Sequence, residues 1–267
     1  MTAYTIRASA WGGLFDCAYK FEAEHLLGMK KAGGLRAHLG ASIHASTATF
    51  DAGRLPGAEP VSIDDAAGVF VDTLHNPERE IDFGQDDITL RDAERIGLTV
   101  HTLYCADLSP RFKFQSVEQP LDPLEIDCGS GVVVRLTGTM DRARVAKSDG
   151  GIVIPDIKTG SRVIEKGEAQ TKGRAAQLGT YQLMYEHTTG VRTSGAQVLA
   201  LSTSSRPAVA ASPVFDAKRV MVGEDDAPGL IEYAAVMLRA GLFPPNPQSL
   251  LCSPKYCARW ATCKFHP

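Results

Sequence analysis

No run of 18 apolar residues occurs in this 267-residue chain, so the usual mark of a membrane-spanning helix is missing. The opening residues, MTAYTIRASAWGG, lack the basic start and apolar centre of a secretory signal, and a cytoplasmic setting is the default expectation. In a reducing compartment the six cysteines are not first read as disulfides. Positive charge is also short, and a net charge of −3 does not advertise nucleic-acid binding. Its distribution says more. Residues 135–175 carry nine Lys and Arg against five Asp and Glu, and residues 252–267 carry three against none, whereas residues 51–134 carry six against 17. If the basic segments meet in space they form a positive surface on an acidic protein; solvated faces of ordinary helices are the alternative. The 44 % hydrophobic content is enough for a real core in one elaborated domain.

The chain is organised around residues 138–160, GTMDRARVAKSDGGIVIPDIKTG. Two β-type runs flank Asp149-Gly150, a strong hairpin signal. With that pair as a two-residue loop, Ser148 faces Gly151, Asp141 lies opposite Lys158, and Asp156 sits on the diagonal. Asp156 and Lys158 are two apart and share a face. Two carboxylates and an ammonium therefore converge on one side of the hairpin. Carboxylates are hard oxygen ligands for Mg²⁺ or Mn²⁺. Such a metal can activate water and offset phosphodiester charge, and the lysine can stabilise developing negative charge. A surface hairpin with paired charges is the bland alternative. Here, however, the charges close the apolar run Gly151-Ile152-Val153-Ile154, which reads as a buried strand.

Upstream, Ser9 is an N-cap candidate for a helix through Trp11, Leu14, Phe15, Ala18 and Phe21, with Cys17 on it. A second helix covers about 36–50, with Leu39, Ile43 and Phe50 as its buried stripe. Gly40 and His44 share a face: the small residue allows another backbone close, and His44 projects beside it. A lone histidine is more often a core or surface residue, and His44 becomes a metal-ligand candidate only if the hairpin carboxylates face it. Residues 51–110 show a capping-box variant at Ser62-Ile63-Asp64-Asp65 and helical spacing of Ala93, Ile96, Val100 and Leu103. They read as a helical insertion or scaffold without chemistry of its own. Strands are expected near 113–118 and 131–137. Beyond the hairpin, a basic linker (161–173) leads to a helix over 174–187, where Gln177 and Tyr181 share a face and can reach back to the hairpin. Strands near 196–203 and 208–215, and a helix over 226–240 stopped by Gly241 and Pro244-Pro245, complete an α/β pattern.

The end of the chain, LCSPKYCARWATCKFHP, spaces Cys252, Cys257 and Cys263 as C-x4-C-x5-C. Three ligands leave a tetrahedral site one short. Cys17 is the leading fourth, since thiolates select zinc or iron–sulfur clusters, and it would staple the two ends of the chain together. His266, in a Cys3His zinc site, is the variant. Cys105 reads as a core residue, and Cys128 as a turn residue without a role.

GTMDRARV followed by IPDIKTG resembles motifs II and III of the PD-(D/E)xK nuclease superfamily. Gln177-x-x-x-Tyr181 is similar to the Q-x-x-x-Y motif of its RecB-like branch, and Gly40-Ala-Ser-Ile-His44 to that branch's upstream histidine motif. The cysteines resemble the iron–sulfur staple of CRISPR-associated RecB-like exonucleases and of certain helicase–nuclease subunits; phage-encoded RecB-like exonucleases are similar in size. The resemblance covers residues 9–50, 138–187 and 240–263. It implies one restriction-endonuclease-like α/β domain over 1–267, a mixed central sheet flanked by helices, with a helical insertion at 51–110 and a cap at 241–267 stapled with Cys17. It implies catalytic roles for Asp141, Asp156, Lys158, Gln177 and Tyr181. It implies metal ligation by His44, Asp141, Asp156 and the main chain at Ile157. It also implies a structural [4Fe–4S] cluster, or zinc, on Cys17, Cys252, Cys257 and Cys263. The implied activity is a Mg²⁺- or Mn²⁺-dependent DNA exonuclease for single strands or duplex ends, in recombination, repair or phage- or CRISPR-related processing, with a recombination or helicase partner. One departure is the C-x4-C spacing where the family often has C-x2-C. Two rivals are a non-cleaving DNA-binding or assembly module on a nuclease fold, and a redox or sensor protein that works through its cluster. Neither needs the complete carboxylate–lysine set.

Overall fold

The computed structural model describes residues 1–146, 150–224 and 226–266. Its principal elements, in chain order, are β1 (Thr2–Arg7), α1 (Trp11–Asp16), α2 (Ala18–Phe21), α3 (Leu35–Ala52), α4 (Ile63–His75), α5 (Leu90–Leu103), β2 (Phe114–Pro120), β3 (Leu124–Asp127), β4 (Val132–Thr137), β5 (Thr139–Val145), β6 (Ile152–Gly160), α6 (Ala175–Thr189), β7 (Thr193–Ser202), β8 (Ala208–Ala211), α7 (Lys218–Val222) and α8 (Leu230–Ala240). The main sheet has the order β8–β7–β6–β5–β2, with β7 parallel to β6 and the other pairs antiparallel. A smaller sheet, β1–β4–β3, pairs β1 parallel with β4. Strand β6 is buried from Ile152 to Ile157, as a strand covered on both faces should be.

Helices cover both faces. Leu39 and Ile43 of α3, Phe70 of α4 and Val100 of α5 pack with Ile157, Leu199 and Leu201. Trp11, Leu14, Met184 and Leu238 pack with Met140, Ile154 and the small sheet. The acidic stretch thus supplies most of one helical layer. Its helices start as their side chains dictate: Ser62 accepts a hydrogen bond from the Asp65 N–H, and Thr89 forms a full capping box with Asp92. Among the described residues no helix is long and apolar enough to cross a membrane.

Four expectations need correction. The hairpin pairs Val145 with Ile152 and Arg144 with Val153, and the Ala146 N–H donates to the Gly151 carbonyl at 2.8 Å. The pairing thus sets Ala146 against Gly151, where the two-residue loop at Asp149-Gly150 would have set Ser148; residues 147–149 lie outside the described residues. In this register Arg144 lies against Val153, where the two-residue loop would have set it against Pro155. The slip is two residues, and side chains alternate with period two, so every side chain keeps its face. Secondly, the 11–21 helix is two pieces. Cys17 is extended (φ −143°, ψ 94°) between α1 and α2, after a turn weakened by Gly12 and Gly13. Thirdly, strands β1 and β3 were not expected; the partner of β1 is far away in sequence, where local pattern carries no signal. The last long helix also starts late, at Leu230.

Candidate functional site

The site forms where β5, β6, β2, α3 and α6 meet. Asp141 on β5 turns its Oδ2 to the Ile157 N–H of β6, which donates to it at 2.7 Å. On α3, a Cβ placed on Gly40 would lie 2.6 Å from Thr159 Oγ1. The missing side chain is what lets the helix lie against the end of β6, and it brings His44 Nδ1 to 3.6 Å from Asp141 Oδ2. His44 thus faces a hairpin carboxylate, the condition set for it as a ligand candidate.

Asp156 is 1 % exposed. Burial pushes its carboxyl up to about 6, against the pull of Lys158, and Asp141 adds to the rise. Lys158 Nζ lies 2.7 Å from Asp156 Oδ2, an ion pair inside the buried site. Gln177 organises the group. Its Oε1 accepts from Lys158 Nζ at 2.9 Å, and its Nε2 donates to Asp156 Oδ1 at 3.4 Å and to Tyr181 Oη at 3.3 Å. Burial raises the Tyr181 phenol well above its ordinary range, so it stays protonated. The ring rests over Gly138, where a Cβ would come within 2.8 Å of Tyr181 Cε1.

One acidic residue was missed. Glu118 completes a group with His44 and Asp141 whose ligand atoms all lie within 4.8 Å of one another. The pairs Val117–Arg142 and Gln119–Met140 put Glu118 level with Asp141. Its backbone is left-handed (φ 47°), a strained conformation for a residue of this type. Partial removal from solvent and the Asp141 charge raise its carboxyl, against Arg142. The signal was an acid closing the strand expected at 113–118; pairing that strand with 139–145 would have found it.

These residues fit a divalent cation. An imidazole and two carboxylates converge, a third, buried carboxylate lies beside them paired with Lys158, and the proton affinity of two of the carboxyls is raised partly by a neighbouring negative charge that a cation would offset. Of the expected ligands, His44 and Asp141 stand in the compact group, Asp156 sits beside it with Lys158, and Ile157 offers its N–H to Asp141.

The cysteines form a second centre. Cys17, Cys252, Cys257 and Cys263 line one small cavity of about 20 Å³ together with Trp260 and Phe265. Main-chain and charged contacts hold the two ends of the chain around it. The Asn246 N–H donates to Cys17 Sγ at 3.4 Å, the Tyr19 N–H to the Pro244 carbonyl at 3.3 Å, and Arg259 pairs with Glu22 at 2.8 Å while lying over the Tyr19 ring. His266 stacks on Trp260 with ring centroids 3.9 Å apart. The acidic loop grips this cap: Lys255 Nζ pairs with Asp86 at 2.7 Å, and Asp86 also accepts from the Arg36 N–H at the start of α3.

Comparison with known proteins places the chain by fold and by family. No curated protein matches the chain. A crystal structure from Eubacterium rectale, of a protein named provisionally as an exonuclease, is similar with a TM-score of 0.56 at 12 % identity, over 98 % of this chain and 89 % of that one; at that identity the likeness speaks for the fold alone. The profile of the PD-(D/E)XK nuclease superfamily matches residues 8–264. That match takes in the carboxylate–lysine strands, the glutamine–tyrosine helix and the cysteine cap alike, and the chain belongs to the PD-(D/E)XK nuclease superfamily.

Proposed function

We propose that the protein is a Mg²⁺- or Mn²⁺-dependent DNA exonuclease that acts on single strands or duplex ends. The observation that carries this is the position of Lys158 Nζ, 2.7 Å from Asp156 and 2.9 Å from Gln177, beside the His44–Glu118–Asp141 group. A bound divalent cation supplies Lewis acidity to the phosphoryl group and lowers the pKa of water. His44, Glu118 and Asp141 would hold it, together with Asp156. Lys158 orients the attacking water and donates to the phosphate as negative charge builds up. Gln177 keeps the ammonium in place, and Tyr181, protonated, buttresses Gln177. Water adds to phosphorus as the bond to the leaving oxygen breaks, giving a phosphomonoester and a hydroxyl.

The four thiols are assigned to a [4Fe–4S] cluster with a structural role. The four thiols line one cavity, and thiolates select iron–sulfur clusters or zinc. About four irons per chain after anaerobic purification is the expected result; one zinc and no iron would overturn the assignment.

The activity is tested with end-labelled single-stranded, duplex and circular DNA, with Mg²⁺ or Mn²⁺, beside Asp156→Ala and Lys158→Ala. Metal-dependent loss of linear DNA, intact circles and inactive variants are expected. Cut circles would make it an endonuclease. No cleavage by the metal-replete protein would favour a binding or assembly module on the nuclease fold.

A further inference from the structure

We propose that Arg142 is a positioning residue for the cation site: its buried guanidinium holds Glu118 in place and is itself anchored, through Asp51, by the helical layer of residues 51–110. Arg142 follows Asp141 in the chain and reaches α3 at Thr47 and Asp51, farther along the helix that carries His44. It is fully buried. Its Nε donates to Asp51 Oδ2 at 2.8 Å, and its Nη1 donates to the Asp141 carbonyl at 2.7 Å and to Glu118 Oε1 at 3.1 Å. Asp51, also fully buried, accepts from Tyr104 Oη at 2.5 Å and from the Ser109 hydroxyl, which Arg54 contacts in turn.

A buried ion pair alone is weak evidence for a role beyond structure. What distinguishes this one is where its free arm ends. Glu118 has a side chain 45 % exposed on a left-handed backbone, and it lies in the group that faces the cation. An exposed glutamate rotates freely unless something fixes it, and a strained φ persists only where its surroundings over-determine it. Arg142 provides that constraint and offsets the like charge of Asp141. An ionised carboxylate has room for about four partners, so the bond to Arg142 leaves Glu118 able to take a metal. Residues 51–110 then act on the site without touching it, since Tyr104 and Ser109 fix Asp51, Asp51 fixes Arg142, and Arg142 fixes Glu118.

The inference rests on the reading of His44, Glu118 and Asp141 as cation ligands. The test is Mn²⁺ binding to the full chain without DNA, followed by electron paramagnetic resonance, for the parent, Glu118→Gln, Arg142→Lys, Tyr104→Phe and the double variant Arg142→Lys/Glu118→Gln. Loss of a group that supports a metal ligand weakens metal affinity about 10- to 100-fold. Arg142→Lys is expected in that range, Tyr104→Phe is expected to weaken binding less, and the double variant is expected to bind no worse than Glu118→Gln, because both changes remove one contribution. No Mn²⁺ binding by the parent would sink the cation reading itself. Parent-like affinity in Arg142→Lys and Tyr104→Phe, or additive losses in the double variant, would overturn the role of Arg142 with the cation reading intact. Should Arg142→Lys fail to fold, the near-isosteric Tyr104→Phe decides alone.

Discussion

The Asp141 carboxylate takes the Ile157 N–H at 2.7 Å, standing in for the strand partner beyond the Arg144–Val153 pair. One oxygen therefore serves two ends. It closes the main-chain hydrogen bonding of β6, and it lies 3.6 Å from His44.

These two duties separate on substitution. Asn at position 141 retains an acceptor for the Ile157 N–H but loses the charge. Asp141→Asn should keep nearly the parent melting temperature while cleavage falls at least about 100-fold. Asp141→Ala should also lose about 1–3 kcal/mol of stability, from the buried N–H left without a partner. Calorimetry beside the cleavage assay checks the split; equal destabilisation by both variants would contradict it.

Lys158 and Gln177 should differ in degree. Lys158→Met is expected to lower the cleavage rate about 100- to 1,000-fold with Mn²⁺ binding preserved, since the ammonium is not a ligand. Gln177→Ala, which frees the lysine and removes the bonds to Asp156 and Tyr181 but no group that touches the phosphate, should cost about tenfold by comparison with other supporting groups. Single-turnover rates at saturating metal give both numbers.

The pH dependence follows from Asp156. Its carboxyl is raised from an ordinary 3.8 to about 6, and that of Glu118 moves the same way. The folded protein thus holds a proton across a window where the unfolded chain has lost it. The contribution of Asp156 to stability falls as pH rises from about 4 to about 6 and is level above that. A metal competes with this proton, so Mn²⁺ affinity should climb with pH to about 6 and then flatten. Titration calorimetry between about pH 5 and pH 8 tests the sign; affinity that does not vary over that range would refute it.

Gly40 should be intolerant of a single methyl. In Gly40→Ala the new Cβ meets Thr159 Oγ1 at 2.6 Å, an overpacking expected to cost about 1–3 kcal/mol and to move His44 away from Asp141. Thr159→Ala in the same chain removes the opposing oxygen. The double variant should recover both melting temperature and Mn²⁺ affinity, and failure to recover either would show that α3 is placed by other contacts.

Removing the cysteine-bound group should release the cap before the nuclease core. After chelation, or in Cys257→Ser, trypsin should cut first at Lys255, Arg259 and Lys264, leaving a fragment that keeps both sheets. Mass spectrometry of the limited digest identifies the order of cuts; simultaneous loss of the core would mean that the cap and the sheets unfold as one unit.

Much of the site was legible because its chemistry is local. Asp156 and Lys158 share a face by strand periodicity, Gln177 and Tyr181 by helical periodicity, and neither relation depends on what lies opposite. The register of the hairpin came out two residues away, and the face assignments survived because the error was even. The glycine at 40 signalled a close approach, and the approach is there, against Thr159.

Glu118, Arg142 and the service of residues 51–110 were not legible. Each depends on a pairing between distant segments: β2 against β5, Asp51 against Arg142, Tyr104 against Asp51. A sequence carries periodicity and capping in short windows, so it determined the helices, the strand faces and the carboxylate–lysine set. Which buried charge finds which partner is set by the packing of whole layers, since an ionised group in the interior must be neutralised by whatever the fold brings beside it. That choice belonged to the tertiary structure alone.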